Sequence, residues 1–131
     1  ARILVDAKNR RPGCSKFWRG TPELALETWS VRPQGKYRTP PERSKVGWTL
    51  CETKMVDLIL FKFDAIDCRE VFLISYQLLR IAFRRNYIIW KTQYKTDIQD
   101  NGRFESEAVF VPSSTVLQAI TECSKGNLIQ S

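Results

Sequence analysis

A chain of 131 residues with 43% hydrophobic and 27% charged side chains is long enough to bury a core without cross-links and too apolar to be disordered. Its 21 Lys and Arg against 14 Asp and Glu leave a formal charge of +7, a surplus that favours polyanionic partners. The absence of histidine and the wide spacing of Cys14, Cys51, Cys68 and Cys123 exclude close-spaced zinc motifs and every histidine-based general base, so any catalysis falls to carboxylates and lysine. Scattered cysteines point to buried thiols in a reducing compartment. No apolar run reaches the roughly 18 to 20 residues of a membrane span, and no signal-peptide pattern is present. The expected setting is cytoplasmic, with no membrane partner.

The opening stretch, Ala1 to Arg11 (ARILVDAKNRR), is an apolar run with β-branched residues that breaks into a basic segment. In a strand Leu4, Asp6 and Lys8 share one face and Ile3, Val5 and Ala7 the other, which sets a carboxylate beside an ammonium. That pair suits a divalent metal and an attacking water near a phosphate, and equally a solvated surface ion pair. Because strand character begins at once and no initiator methionine is present, an N-terminal portion is expected before Ala1, paired with this strand.

Asn9 to Gly20 reads as a loop in which Arg10, Arg11, Lys16 and Arg19 surround Phe17 and Trp18. The cations and Trp18 suit a nucleic-acid backbone and an exposed base, and the two aromatics serve equally well as a core plug. Glu23 to Val31 alternates as a strand, with helix as the alternative, since Leu and Glu are good helix formers. If this strand neighbours the first, Glu27 or Glu23 faces the Asp6 and Lys8 side. Arg32 to Val46 is a proline-rich cationic excursion, expected to be a flexible loop. Its Lys36, Arg38, Arg43 and Lys45 would touch nucleic acid if it closed over a strand.

Gly47 to Leu50 is a short apolar return, and Thr53 to Phe63 is the strongest strand, apolar on both faces as in a covered central strand. Asp64 to Arg69 turns, Glu70 to Tyr76 is a strand, and Gln77 to Tyr94 is the clearest helix. Its stripe is Leu79, Phe83, Tyr87 and Trp90, widened by Leu78, Ala82 and Ile89. Thr96 to Arg103 holds an Asn-Gly turn. Glu105 to Val111 is the last strand, Pro112 opens a helix over Ser113 to Cys123, and the tail 124–131 is expected to fray. The sum is one domain over 1–131 of mixed α/β (α+β) class, a β-sheet core flanked by helices.

The strand ending in Asp6-Ala-Lys8, the Glu-Leu-Ala-Leu-Glu strand, Gly47-Trp48-Thr49-Leu50, Lys54-Met-Val-Asp57-Leu-Ile-Leu-Phe and Phe110-Val111-Pro112-Ser113 together resemble the PD-(D/E)XK nuclease-like superfamily. They are similar to its small phage and bacterial proteins. The resemblance implies a restriction-endonuclease-like fold and metal-dependent hydrolysis of phosphodiester bonds in DNA, as an endonuclease or exonuclease in a bacterial or phage-infected cell. Asp6 matches the second acid, which would hold Mg²⁺ or Mn²⁺, and Lys8 matches the lysine that orients the water and neutralises charge. The first acid has no counterpart in this chain, and Glu27 is the residue conjectured to complete the set. A non-catalytic nucleic-acid-binding or assembly subunit of the same fold is the alternative, with DNA preferred to RNA as partner and with a homo-oligomer or larger assembly compatible with either.

Overall fold

The computed structural model describes residues 2–10, 22–65 and 68–130. In chain order the described elements are β1 (Val5–Arg10), β2 (Glu23–Val31), two single 3-10 turns (Gly35–Tyr37 and Pro41–Arg43) and β3 (Lys45–Val46). There follow β4 (Leu58–Ala65), β5 (Cys68–Ser75), α1 (Tyr76–Gln93), β6 (Thr96–Asp100), β7 (Glu105–Pro112) and α2 (Ser113–Gln130). The class is α+β, as the sequence leads one to expect.

The strands form two sheets, ordered β1-β4-β5 and β3-β2-β7-β6. The chain divides into two compact units. One comprises 1–24, 55–85 and 112–131 and contains the three-stranded sheet, the first half of α1 and α2. The other comprises 25–54 and 86–111 and holds most of the four-stranded sheet with the second half of α1.

In the first unit β4 runs parallel to β1 and antiparallel to β5, so it is the central strand that its apolar run predicts. Ile59, Phe61 and Phe63 on one of its faces are fully buried, with Phe72 of β5 set edge-on to Phe63 at 5.9 Å between ring centres. The opposite face is less covered than expected, since Leu58 and Leu60 are half-buried and Lys62 is exposed. Helix α1 follows β5 without a loop, and the Ser75 hydroxyl accepts the Leu78 N–H, an N-cap bond to one of the orphan donors of the first turn. Leu79, Ala82 and Phe83 of α1 and Val116, Ala119 and Cys123 of α2 complete this core. The expected stripe of α1 needs one correction. Trp90 is buried but Ile89 is exposed, because an arc widened to position 89 leaves the face centred on Leu79 and Phe83.

In the second unit Leu26 and Thr28 of β2 and Val109 and Val111 of β7 are fully buried at alternate positions, and Ala25 and Phe110 on the opposite faces are buried as well, so both faces are covered there. Residues 32–46, read from sequence as a loop, are folded into the two 3-10 turns and β3. The excursion is pinned at its neck, where Gln34 and Thr39 exchange backbone hydrogen bonds of 2.7 and 3.3 Å. The segment 124–130, read as the tail, continues α2.

Candidate functional site

The register of β1 fixes the first candidate pair. Asp6 lies opposite Ile59 and Lys8 opposite Phe61, so both project on the face of the sheet that carries the buried residues of β4. The Lys8 Nζ is 3.2 Å from Asp6 Oδ2, with about 30% of each side chain exposed. Strand alternation thus brings the two together as the sequence indicates. Held this way they form a half-covered ion pair, a contact of small net energy. At the foot of the same sheet Asp57 accepts the Leu4 N–H at 2.8 Å, and its own N–H donates to the Leu4 carbonyl. This carboxylate serves as a clip between β1 and β4.

Glu27, the conjectured third member, belongs to the second unit. Its carbonyl accepts the Thr49 hydroxyl, which ties the segment after β3 back onto β2. Arg11, Lys16, Trp18 and Arg19 lie outside the described residues, as does the side chain of Arg10. Among the described residues no three His, Cys, Asp or Glu side chains gather in a metal-holding group. Mg²⁺ commonly takes one or two carboxylates and completes its shell with water and phosphate oxygens, and the described strand supplies Asp6, already engaged by Lys8.

The second unit gathers the remaining predicted residues. The Lys36 ammonium donates to Asp100 Oδ2 at 2.6 Å, while the Tyr37 hydroxyl and the Gly102 N–H donate to Asp100 Oδ1 at 2.5 and 2.8 Å. These bonds, that of Lys36 foremost, hold the Asp100 carboxyl well below the usual carboxylate range. The hydrogen bond to Asp100 also raises the Lys36 ammonium and the Tyr37 phenol above their ordinary values. Lys36 is thus neutralised where it stands, whereas Arg38 makes no side-chain hydrogen bond or ion pair among the described residues.

The loop that carries them is bent in a costly way. Gln34 has φ 59° and ψ −134°, a region that is nearly glycine's own, and Arg38 sits in the left-handed region at φ 48° and ψ 40°. Such residues cost about 1 to 3 kcal/mol each and persist where the surroundings over-determine them. The surroundings here are Asp100 on Lys36 and Tyr37, and Glu105, whose Oε1 accepts the Lys36 N–H at 3.0 Å and lies 3.4 Å from Arg32 Nη1.

Behind this loop lies a cavity of about 220 Å³ whose wall includes Tyr37, Thr39, Arg43, Arg103 and Phe104. Arg43 and Arg103 are exposed and have no acidic partner among the described residues. Sequence reading had Arg43 as a backbone-contacting cation but missed Arg103 and Phe104. Their signal is the Asn101-Gly102 turn, which presents the next two residues at the tip of the β6–β7 hairpin, with Gly102 at φ 90° and the Asn101 N–H closing onto the Phe104 carbonyl.

A second acid missed by sequence reading is Glu107, 5% exposed on β7. It accepts the buried Thr28 hydroxyl at 2.5 Å and stands 3.6 Å from Arg32 Nε and 3.7 Å from Lys91 Nζ. With a hydroxyl and two cations around it, Glu107 is a satisfied buried acid that fastens β2, β7 and α1 together.

Comparison with known proteins finds no matching family model, no similar curated protein and no similar solved structure. No helix among the described residues is long and apolar enough to cross a membrane. The functional argument therefore rests on the residues themselves.

Proposed function

We propose that this chain is a nucleic-acid-binding domain, with DNA as the partner to test first. The observation that carries the reading is the set of cations on the second unit that no acid among the described residues neutralises. Arg43 and Arg103 line one cavity with the rings of Tyr37 and Phe104, and Arg38 is exposed on the same excursion, in a chain whose net charge is +7. Arginines left unpaired at a surface neutralise phosphates and release counterions, and aromatic faces beside them accept bases. Fluorescence anisotropy with single-stranded and duplex DNA across a salt series tests it. The expected result is affinity that falls steeply with salt, with each of Arg38→Gln, Arg43→Gln and Arg103→Gln lowering the slope of log K against log salt by about 1. No measurable binding at about 50 mM salt defeats the proposal.

A second reading, a metal-dependent nuclease acting on DNA, is favoured by the 3.2 Å pairing of Asp6 and Lys8. In that reading Asp6 holds Mg²⁺ or Mn²⁺ beside the phosphate, and Lys8 steadies the water and the developing charge. Cleavage of labelled DNA in Mg²⁺ or Mn²⁺, abolished by Asp6→Asn with binding intact, supports it. Metal-independent binding with no cleavage leaves the binding domain without this chemistry.

A further inference from the structure

We infer that the cavity between the 32–46 excursion and the β6–β7 hairpin is a pocket for a nucleoside monophosphate group, free in solution or at the phosphorylated end of a strand. The inference rests on the proposed nucleic-acid reading for the strand-end case and is independent of it for the free nucleotide.

Three features of the wall point to such a group. The first is size, since about 220 Å³ lies below the roughly 300 to 1,000 Å³ of pockets that enclose a drug-sized ligand. The cavity therefore takes one part of a nucleotide, its base or its sugar-phosphate, with the rest at the mouth, and a run of stacked bases does not fit. The second is charge, because Arg43 and Arg103 reach the pocket from two separate elements and neither meets a carboxylate among the described residues. Two guanidinium groups facing one space, with no acid between them, match the several oxygens of a phosphate monoester, which carries more charge than an internal diester.

The third feature is a hydroxyl in the wall. Thr39 is 9% exposed, and its hydroxyl makes no hydrogen bond among the described residues yet is not sealed from solvent, so a ligand can reach it. It lines the same pocket and offers one donor and two acceptor positions to a ribose hydroxyl, a base edge or a phosphate oxygen. Phe104 and Tyr37 supply apolar faces for the ring. The Tyr37 ring is fixed in advance by its bond to Asp100, so little ordering remains to be done on binding.

The test compares three kinds of probe by anisotropy or calorimetry on the whole chain. These are one single-stranded DNA with 5′-phosphate, 3′-phosphate or hydroxyl ends, the free nucleotides AMP and TMP, and adenosine with inorganic phosphate as separate controls. The expected result is about tenfold tighter binding of a phosphorylated end than of the hydroxyl strand, with AMP or TMP competing for that increment and adenosine not competing. Thr39→Val should remove the increment while the salt-dependent binding of the hydroxyl strand persists, whereas Arg43→Gln with Arg103→Gln should remove the increment and also weaken the hydroxyl strand. Equal affinity for all three ends, together with no binding of AMP or TMP, overturns the pocket and leaves the nucleic-acid reading standing. Binding of AMP or TMP, sensitive to the same substitutions, with no affinity for any strand keeps the pocket and overturns the nucleic-acid reading. Inorganic phosphate competing as well as AMP overturns the nucleoside part of the assignment.

Discussion

Asp100 shows how one carboxylate organises a surface. It gathers an ammonium, a phenol and a backbone N–H, and in doing so fixes both Lys36 and the ring of Tyr37. Because its folded value is depressed, the stability it contributes is fully present above the ordinary carboxylate value of 3.8 and is lost as pH falls through the lowered one. Lys36 is raised, so its share is full below 10.5 and is lost as pH rises through the higher folded value. The cluster is therefore intact between those limits, and being open to solvent it weakens with added salt. Asp100→Asn should move the Tyr37 titration, followed by NMR of ¹³Cζ-labelled tyrosine, down toward 10.0. An unchanged Tyr37 curve shows that the carboxylate does not govern this ring.

At the scale of elements, Gly47 shows how closely the return from the excursion is laid against β2. Its N–H donates to the Thr28 carbonyl at 2.8 Å, and a Cβ at this position would run into the Glu27 carbonyl group, which is backbone and cannot step aside. Gly47→Ala is expected to destabilise the protein by about 1 to 3 kcal/mol in a urea titration, and an unaltered midpoint overturns this account. Where the most deeply buried residues recur at a regular spacing, sequence alone locates the element. Leu24, Leu26 and Thr28 alternate into β2, and Leu79 and Phe83 are one helical turn apart in α1. Strand β6 escaped notice because Thr96–Asp100 has one aliphatic residue, Ile98, which is itself exposed, so an edge strand with a wet face leaves no periodic signal. The same limit applies to the sites. Asp6 and Lys8 are two apart on one strand and their meeting follows from alternation. Arg43 and Arg103 meet through a fold that neither local sequence encodes.

On the scale of the whole molecule, each compact unit is assembled from separated stretches, and the chain passes between units after residues 24, 54, 85 and 111. No single cut releases either unit as a continuous segment, so deletions meant to isolate one should unfold what remains. The parallel pairing of β1 with β4 has a further consequence in time. Leu4 and Asp57 are 53 residues apart, whereas β4 and β5 are neighbours in the chain, ending at Ala65 and starting at Cys68, and lead straight into α1. Local contacts close faster than distant ones, so the β4–β5–α1 segment should order first and β1 should add to an existing edge. Pulsed hydrogen exchange during refolding is expected to protect the β4 and β5 amides before those of β1, and the reverse order would contradict it. During synthesis β1 leaves the ribosome ahead of β4, and Ile3, Leu4 and Val5, still exposed in the finished fold, lack their β4 partner until it has followed. That interval is when this chain is most open to self-association.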